Sequence, residues 1–249
     1  MAATATPVTD DRMLGGRLAL RQPARGYRAG MDAALLAAAC DAKPGESVME
    51  AGCGVGAVML AAALRRPGVS FVGVERDPAA LALAQHNIAA NGSGDRVQAI
   101  LGDVGAPNAR LAQRFDAALS NPPYFDDRGA LRGPHPTKAG AFIADDGLAA
   151  WTGYLLGAVR DGGTVTVIHR ADRLADLLAF LSAKAGSIQV RPVHPHADDS
   201  AGRVLVRAIR GGRAPLRLLP ALVLHERAGA KHTPQAEAIL RGEADLPWL

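Results

Sequence analysis

The tetrapeptide Asn121-Pro122-Pro123-Tyr124 ends an apolar run that begins at Phe115. A proline lacks a backbone N–H and fixes φ at about −65°, and the residue before a proline is held extended. The side-chain oxygen of Asn121 and the carbonyl oxygen of Pro122 would then be two rigid acceptors at the end of a buried strand. An amino group on a flat ring has two hydrogens, and its lone pair is delocalised into the ring. Two such acceptors could bind both hydrogens and localise the lone pair, so Asn121 and Pro122 are candidate catalytic residues.

Tyr124 follows the two prolines and could stack on the same ring, a contact that contributes about 1–3 kcal/mol per base. Tyr124 is therefore a candidate for both catalysis and substrate binding, and the adjacent Phe125 is a candidate substrate contact. The alternative is an ordinary loop after a strand that the prolines terminate. The tetrapeptide alone does not exclude that alternative.

Three glycines at alternate positions, Gly52, Gly54 and Gly56, follow one predicted strand and open a predicted helix. Glycine lets the backbone approach a ligand closely, and the helix N-terminus favours a negative group. Glu75 ends the next strand, where its carboxylate could bind the two hydroxyls of a ribose. The same spacing also fits a dinucleotide, because Ala57 completes the pattern Gly-x-Gly-x-x-Ala.

Polar residues at other strand ends extend this candidate cofactor site. Asp103 and Val104 follow the third strand, where Asp103 could accept a hydrogen bond from an adenine amine. Asn121 follows the fourth strand, and Glu50 precedes the glycines, where it could orient the loop near the cofactor's amino group. The carboxyl ends of parallel strands form the edge at which open α/β sheets bind ligands. The alternative for Glu75 and Asp103 is helix capping at strand–helix junctions.

Strands and helices alternate along most of the sequence, which predicts an α/β fold with right-handed crossovers and a parallel sheet. The predicted strands are 47–51, 69–74, 97–101, 117–120, 163–169, 187–194 and 203–209. The predicted helices are 31–42, 57–64, 78–91, 146–159, 174–185 and 233–240. A polar turn joins the last two strands, which favours an antiparallel pair at one edge of the sheet.

The length of 249 residues fits one large α/β domain. We expect residues 1–11 to be disordered and residues 12–249 to form a single domain. Within it we expect a basic and helical lead-in at 12–45, a catalytic core at 46–210 and a C-terminal extension at 211–249.

The composition restricts the classes of protein to which the chain could belong. No apolar stretch approaches the ~20 residues of a membrane span, and the first residues lack the basic and apolar regions of a signal peptide. Cys40 and Cys53 are too few for a disulfide framework, and no spacing suggests a metal site. We therefore expect a cytoplasmic protein without membrane or metal partners. The net charge of +4 and the pI of about 9.4 favour a polyanionic partner, although many proteins of this basicity bind no nucleic acid.

Two basic segments could contact phosphate groups. Five arginines and no acidic residue lie between Arg12 and Arg28, in a stretch that could form a short surface hairpin. A solvated arm is the alternative for this stretch. The second segment, a long loop rich in glycine and proline, follows the tetrapeptide, and its candidate substrate contacts are Arg128, Arg132 and Lys138.

The sequence resembles class I (Rossmann-like) S-adenosylmethionine-dependent methyltransferases in a set of motifs. In chain order these are the segment from Glu50 to Gly56, Glu75, Asp103 and the Asn-Pro-Pro-Tyr tetrapeptide. The tetrapeptide is similar to that of the branch that methylates amino groups. This branch includes adenine-N6 enzymes acting on DNA and RNA, ribosomal guanine-N2 enzymes, and glutamine-N5 enzymes acting on release factors. The resemblance implies S-adenosylmethionine as cofactor and a seven-stranded sheet, mostly parallel, with an antiparallel C-terminal hairpin and helices on both faces.

Within that branch the sequence resembles the compact bacterial tRNA adenine-N6 methyltransferases that modify the adenine beside the anticodon of a valine tRNA. The stretch from Tyr27 to Ala37 is similar to the segment before their first strand, although Met31 stands where that group usually has Thr. The resemblance places Arg28 and Asp32 near the methionine end of the cofactor. It also implies that tRNA is the partner.

Three alternatives stay open at this point. Protein glutamine-N5 and rRNA guanine-N2 methyltransferases share the tetrapeptide, but they carry an additional domain that we do not expect here. A non-catalytic or NAD-binding Rossmann protein would share only the glycine motif. The sequence leaves the oligomeric state open.

Overall fold

The computed structural model describes residues 7–26, 28–104, 114–123 and 144–248. Within these ranges the chain forms eleven strands and six α-helices. The strands are β1 (Val8–Met13), β2 (Leu18–Pro23), β3 (Ser47–Ala51), β4 (Ser70–Glu75), β5 (Val97–Leu101), β6 (Phe115–Ser120), β7 (Val159–Arg170), β8 (Ala185–His194), β9 (Arg203–Arg210), β10 (Arg217–Leu218) and β11 (Leu222–Val223). The helices are α1 (Met31–Ala38), α2 (Ala57–Arg65), α3 (Pro78–Ala90), α4 (Ala144–Ala158), α5 (Leu174–Ser182) and α6 (Pro234–Leu240).

The main sheet has the strand order β5-β4-β3-β6-β7-β9-β8, with β10 and β11 paired along the outer edge of β8. All neighbours in the order from β5 to β7 are parallel, and β9 is antiparallel to both β7 and β8. The predicted α/β fold with an antiparallel C-terminal hairpin is therefore confirmed. In the described part of the chain the sheet has nine strands rather than the expected seven, because β10 and β11, each of two residues, add to β8.

Helices cover both faces of the sheet, as predicted. One buried cluster joins α1, α2, α3 and α6 to one face, with Phe71 and Leu119 among its large side chains. A second cluster joins α4 and α5 to the other face, with Phe115 and Val165 in its centre. Strand β3 contributes to both clusters, Val48 to the first and Met49 to the second, since successive side chains of a strand point to opposite faces.

Local capping signals set the start of two helices. The Asp77 side chain accepts a hydrogen bond from the N–H of Ala79 at 2.9 Å, and Pro78 occupies the first position of α3. Thr233 accepts from the N–H of Ala236 at 3.2 Å ahead of Pro234 in α6. Both arrangements satisfy an N–H that the first helical turn leaves without an intrahelical partner.

Strands β1 and β2 form an antiparallel hairpin that packs on α3. The side chains of two asparagines of α3 bind the backbone of β2. The Asn87 amide accepts from the N–H of Arg21 at 2.7 Å and donates to the Arg21 carbonyl at 2.9 Å. The Asn91 amide accepts from the N–H of Ala19 at 3.0 Å and donates to the Ala19 carbonyl at 2.8 Å. The side-chain amides thus act on β2 as a neighbouring strand would. The hairpin predicted within residues 12–28 is present, but its first strand begins earlier, at Val8, and its second strand ends at Pro23. The prediction of disorder over residues 1–11 is wrong from Val8 onward, because β1 is paired along its whole length.

The segment after β9 returns across the first face of the sheet. It adds β10 and β11 to β8, and α6 packs on α1. The Arg65 guanidinium donates to the carbonyls of Ile239 and Ala244, and the Trp248 indole donates to the carbonyl of Ala39 at 2.8 Å. These contacts tie the predicted C-terminal extension to α1 and α2.

Among the described residues, every helix is too short or too polar to cross a bilayer.

Candidate active site

The four strands β5, β4, β3 and β6 end side by side at one edge of the sheet. In the register Ala51 pairs with both Val74 and Ser120, and Glu75 pairs with Leu101. The chain runs from β3 outward in one direction through β4 and β5, and it returns to the other side of β3 with β6. Such a reversal of strand order creates the crevice at which open α/β sheets bind ligands.

The glycine loop (residues 52–56) turns from β3 into α2 at this crevice. Gly52, Gly54 and Gly56 have φ of 68°, 54° and 84°, in the left-handed region that favours glycine. The N–H of Gly52 donates to the carbonyl of Val74 at 2.9 Å, which holds the loop against the end of β4. A Cβ on Gly52 would lie 2.7 Å from Cζ2 of Trp151, so both the conformation and the space require glycine there.

Glu75 lies at the end of β4 and contacts the glycine loop directly. One carboxylate oxygen accepts a hydrogen bond from the N–H of Gly54 at 2.9 Å, and the other accepts from the N–H of Asp77 at 2.8 Å. The cap of α3 is Asp77 and not Glu75, so helix capping does not account for Glu75. The side chain is half-buried and lies between the loop and the next helix.

Asp103 and Val104 follow β5 at the same edge. Asp103 is exposed, whereas Val104 is buried in the cluster under α4 and α5. The structure thus brings Asp103 to the strand end next to that of Glu75, as the sequence predicts. Its hydrogen bond to an adenine amine stays a prediction.

Glu50 is buried in β3, at 3% exposure, and its carboxylate accepts from the N–H of Met59 at 2.9 Å. Met59 lies in the first turn of α2, where the helix dipole favours a negative charge. Burial nevertheless raises the pKa of Glu50 well above its ordinary value, and the nearby Glu75 raises it further. Glu50 therefore holds the start of α2 by a direct hydrogen bond to its backbone.

Asn121 and Pro122 lie directly beyond the last residue of β6, with Asn121 half-buried and Pro122 buried. The structure brings them to the strand beside the glycine loop, since β6 pairs with β3. The predicted site residues Tyr124, Phe125, Arg128, Arg132 and Lys138 lie outside the described residues.

Ser120 and Trp151 are site residues that the sequence analysis missed. The Ser120 hydroxyl is buried; it donates to the carbonyl of Ala51 at 2.9 Å and accepts from the indole N–H of Trp151 at 2.7 Å. Ser120 directly precedes Asn121 in the sequence, which was the signal available for it. Trp151 comes from α4, so no local pattern predicts the pairing.

The two residues expected near the methionine end of the cofactor bind other protein groups. The Arg28 guanidinium donates to the hydroxyl of Thr9 at 2.8 Å and to the carboxylate of Asp11 at 2.7 Å, both in the hairpin. Asp32, in the first turn of α1, accepts from Arg203 at 3.1 Å. Asp32 still lies near the relevant edge of the sheet, because β9 begins there at Arg203. Arg28 is exposed beside the hairpin, and its contact with the cofactor stays a prediction.

The first basic segment is less available than its composition suggests. Arg21 forms an ion pair with Asp10 at 2.7 Å, and Arg17 donates to the carbonyls of Arg241 and Gly242. The acidic partners Asp10 and Asp11 precede the stretch in which no acid occurs. The segment therefore serves at least in part to hold the hairpin in place.

No cluster of three or more potential metal ligands occurs in the ranges that the structure describes.

Comparison with known proteins identifies the fold and one domain. Residues 28–133 match the family model of the methyltransferase small domain. A tRNA1(Val) (adenine(37)-N6)-methyltransferase from Actinobacillus succinogenes is 31% identical over 147 residues, which cover 59% of this chain and 62% of that protein. A release factor glutamine methyltransferase from Xylella fastidiosa is 32% identical over 164 residues, covering 59% and 54%. The chain thus spans between about half and three-fifths of the length of these curated relatives.

Among solved structures, a predicted O-methyltransferase from Agrobacterium tumefaciens superposes with a TM-score of 0.73. The match covers 87% of this chain and 99% of that chain at 23% sequence identity, so it establishes the fold alone. The strand order, the glycine loop and the acid at the end of β4 agree with this fold. The chain therefore has the fold of the class I S-adenosylmethionine-dependent methyltransferases, and its residues 28–133 match the methyltransferase small domain within it.

Proposed function

We propose that the protein transfers the methyl group of S-adenosylmethionine to an exocyclic amine, and that this amine is N6 of an adenine next to the anticodon of a tRNA. One observation carries the proposal. Asn121 and Pro122, two rigid acceptors, follow β6, which lies beside β3 and the glycine loop. The Ser120 hydroxyl links the end of β6 to the end of β3 by a hydrogen bond to the carbonyl of Ala51. The printed names of the relatives, which methylate adenine in tRNA or glutamine in release factors, support an amino-group acceptor.

The residues at the sheet edge fit S-adenosylmethionine. The glycine loop has a left-handed backbone beside the crevice, with open space around the Cβ position of Gly54, and Glu75 offers carboxylate oxygens to ribose hydroxyls. Asp103 is exposed at the adjacent strand end, where an adenine amine can donate to it. Asp32 contributes a carboxylate near the same edge, which suits a cofactor that carries an ammonium and a sulfonium group.

The chain's own residues would act by orientation. S-adenosylmethionine supplies an activated methyl group on a sulfonium. The Asn121 side-chain oxygen and the Pro122 carbonyl bind the two amine hydrogens and point the nitrogen lone pair at that methyl group. Holding two reactants in line can supply several kcal/mol of the barrier. The amine loses a proton readily once it is methylated, so the proposal requires no strong base.

A tRNA acceptor is favoured over the alternatives by two features of the chain. Its net charge of +4 suits a polyanion. The segment before β3 resembles that of tRNA adenine-N6 enzymes, and one of the relatives reported above carries that name. A tRNA acceptor would place the reaction in the cytoplasm. The release factor glutamine enzymes remain the second candidate, because a relative of nearly the same identity carries their name.

The test is a transfer assay with methyl-labelled S-adenosylmethionine and separate pools of tRNA, ribosomal RNA and release factor. The proposal predicts label in tRNA, recovered as N6-methyladenosine after digestion. Label in release factor glutamine would support the second candidate and contradict the tRNA proposal. Calorimetry that detects binding of NAD but not of S-adenosylmethionine would contradict the methyltransferase proposal as a whole.

A further inference from the structure

We infer that Trp151 is a positioning residue that couples the glycine loop to the proposed acceptors Asn121 and Pro122 through Ser120. The inference rests on the proposed function, since it concerns how that function's two binding sites are aligned. Trp151 comes from α4, on the opposite face of the sheet from α2, which follows the glycine loop. It therefore acts on both sites from behind the crevice.

A chain of two hydrogen bonds carries the coupling. The indole N–H of Trp151 donates to the Ser120 hydroxyl at 2.7 Å, and that hydroxyl donates to the carbonyl of Ala51 at 2.9 Å. Ser120 is fully buried, so the bonds form where water does not compete. Loss of one partner in such a place leaves a buried polar group unsatisfied, which costs more than an exposed hydrogen bond contributes.

The indole ring also fixes the glycine loop by contact. A Cβ built on Gly52 would lie 2.7 Å from Cζ2 and 3.1 Å from Cη2 of Trp151, so the ring packs against the Gly52 backbone. The same side chain thus contacts the first residue of the loop and, through its N–H, the residue before Asn121. A movement of the loop toward or away from a ligand would displace the indole.

The two contacts have consequences at both ends of the reaction. Ala51 precedes Gly52, and Ser120 precedes Asn121, so one rigid aromatic side chain sets the separation between the methyl donor's loop and the amine's acceptor. An enzyme that works by alignment depends on that separation. We therefore expect the indole N–H to affect turnover more than the affinity for S-adenosylmethionine.

Trp248 provides a matched control, because the chain has two tryptophans and both donate an indole N–H within the protein. Trp248 donates to the carbonyl of Ala39, away from the glycine loop. Trp151→Phe keeps an aromatic ring but removes the donor. It should lower kcat about tenfold, while the Kd for S-adenosylmethionine stays within about threefold. Trp248→Phe should keep kcat within about twofold of wild type, although its loss of thermal stability is comparable to that of Trp151→Phe.

Ser120→Ala gives an independent variant of the same hydrogen-bond chain. It should lower kcat by a similar factor, and the double variant with Trp151→Phe should be no slower than Ser120→Ala alone, because both substitutions break the same bond. Equal kcat for Trp151→Phe and Trp248→Phe would overturn the inference. So would a loss that appears only in the Kd for S-adenosylmethionine.

A binding signal tests the inference without methyl transfer. In Trp248→Phe, Trp151 is the remaining tryptophan, so the intrinsic fluorescence reports on its surroundings alone. Titration with S-adenosylmethionine should change this emission with the same Kd that calorimetry gives, and the change should be absent in Trp151→Phe. Calorimetric binding without an emission change in Trp248→Phe would overturn the coupling. If S-adenosylmethionine does not bind the wild-type protein, the proposed function fails first, and the two failures are thereby distinguished.

Discussion

The carboxylate of Glu75 accepts a hydrogen bond from the backbone N–H of Gly54 at 2.9 Å. Protein groups thus fix the acid at the end of β4 against the glycine loop. Its second oxygen accepts from the N–H of Asp77, so both oxygens already have fixed directions. An ordered carboxylate loses little conformational entropy when it binds a ribose, which is the advantage of preorganisation.

Glu75→Gln tests this relationship. The amide retains one acceptor oxygen but loses the charge and the second acceptor. Because hydrogen bonds to charged groups contribute about 1.5–3 kcal/mol, we expect the affinity for S-adenosylmethionine to fall about ten- to a hundredfold in calorimetry. The control is Asp77→Ala, which removes the cap of α3 and should cost about 1 kcal/mol of stability with little change in affinity. A Glu75→Gln protein of wild-type affinity would refute the role of this carboxylate.

Glu50→Gln should make the ligand-free protein more stable at neutral and higher pH. Burial raises the pKa of Glu50, so the folded protein binds a proton that the unfolded chain releases above the ordinary pKa of glutamate. Stability from this residue is greatest at low pH and is lost as the pH rises. The glutamine oxygen can still accept from the N–H of Met59. In thermal unfolding the variant should have a higher Tm than wild type at pH 8 and the same Tm near pH 4. A Tm difference that does not vary with pH would contradict the raised pKa of Glu50.

His169 should contribute the opposite pH dependence. It is 3% exposed at the end of β7, and burial lowers its pKa to about 4. As the pH falls, the unfolded chain binds the proton before the folded protein does. The contribution of His169 to the free energy of unfolding is therefore fully present above about pH 6.5 and is lost toward pH 4. At about 1.4 kcal/mol per unit of pKa, the loss amounts to about 3 kcal/mol. In urea unfolding, the free energy of unfolding should fall less between pH 7 and pH 4.5 for His169→Gln than for wild type. An equal fall in both proteins would exclude His169 as the source of the pH dependence.

Asn87→Ala should loosen the hairpin from the rest of the chain. The buried Asn87 amide makes three hydrogen bonds, with the N–H and carbonyl of Arg21 and with the carbonyl of Val55 in the glycine loop. Removal leaves backbone groups unsatisfied, and we expect a loss of about 3 kcal/mol in urea unfolding. Asn91→Ala, at a half-buried position with fewer long-range bonds, should cost less. Equal losses of unfolding free energy in the two variants would contradict the larger contribution expected of Asn87.

The sequence predicts those parts of the fold and site that depend on neighbouring residues. Short apolar runs closed by glycine, acid or Asn-Pro mark the strands and their carboxyl ends, so Glu75, Asp103 and Asn121 fall at the expected edge. The Asp77-Pro78 pair marks the start of α3 in the same local way. These signals hold because strand termination and helix capping need only a few consecutive residues.

Contacts between distant segments escape such reasoning. Arg28 has no acidic neighbour in its own segment, yet the antiparallel hairpin brings Asp11 to it. Trp151 and Ser120 are 31 residues apart and meet only because α4 packs across the end of β6. The two-residue strands β10 and β11 lie in a short apolar stretch whose pairing partner no local pattern identifies, and they form because β8 offers an open edge.

The most direct measurement compares wild type and Asn121→Ala in two assays on the same preparations: calorimetric binding of S-adenosylmethionine, and transfer of labelled methyl groups to tRNA with detection of N6-methyladenosine. Because Asn121 is proposed to bind the acceptor amine and not the adenosine of the cofactor, the variant should bind S-adenosylmethionine within a few-fold of wild type and transfer no detectable methyl group. Near-normal transfer by Asn121→Ala would contradict the account, and it would leave the tetrapeptide as the end of a strand and no more.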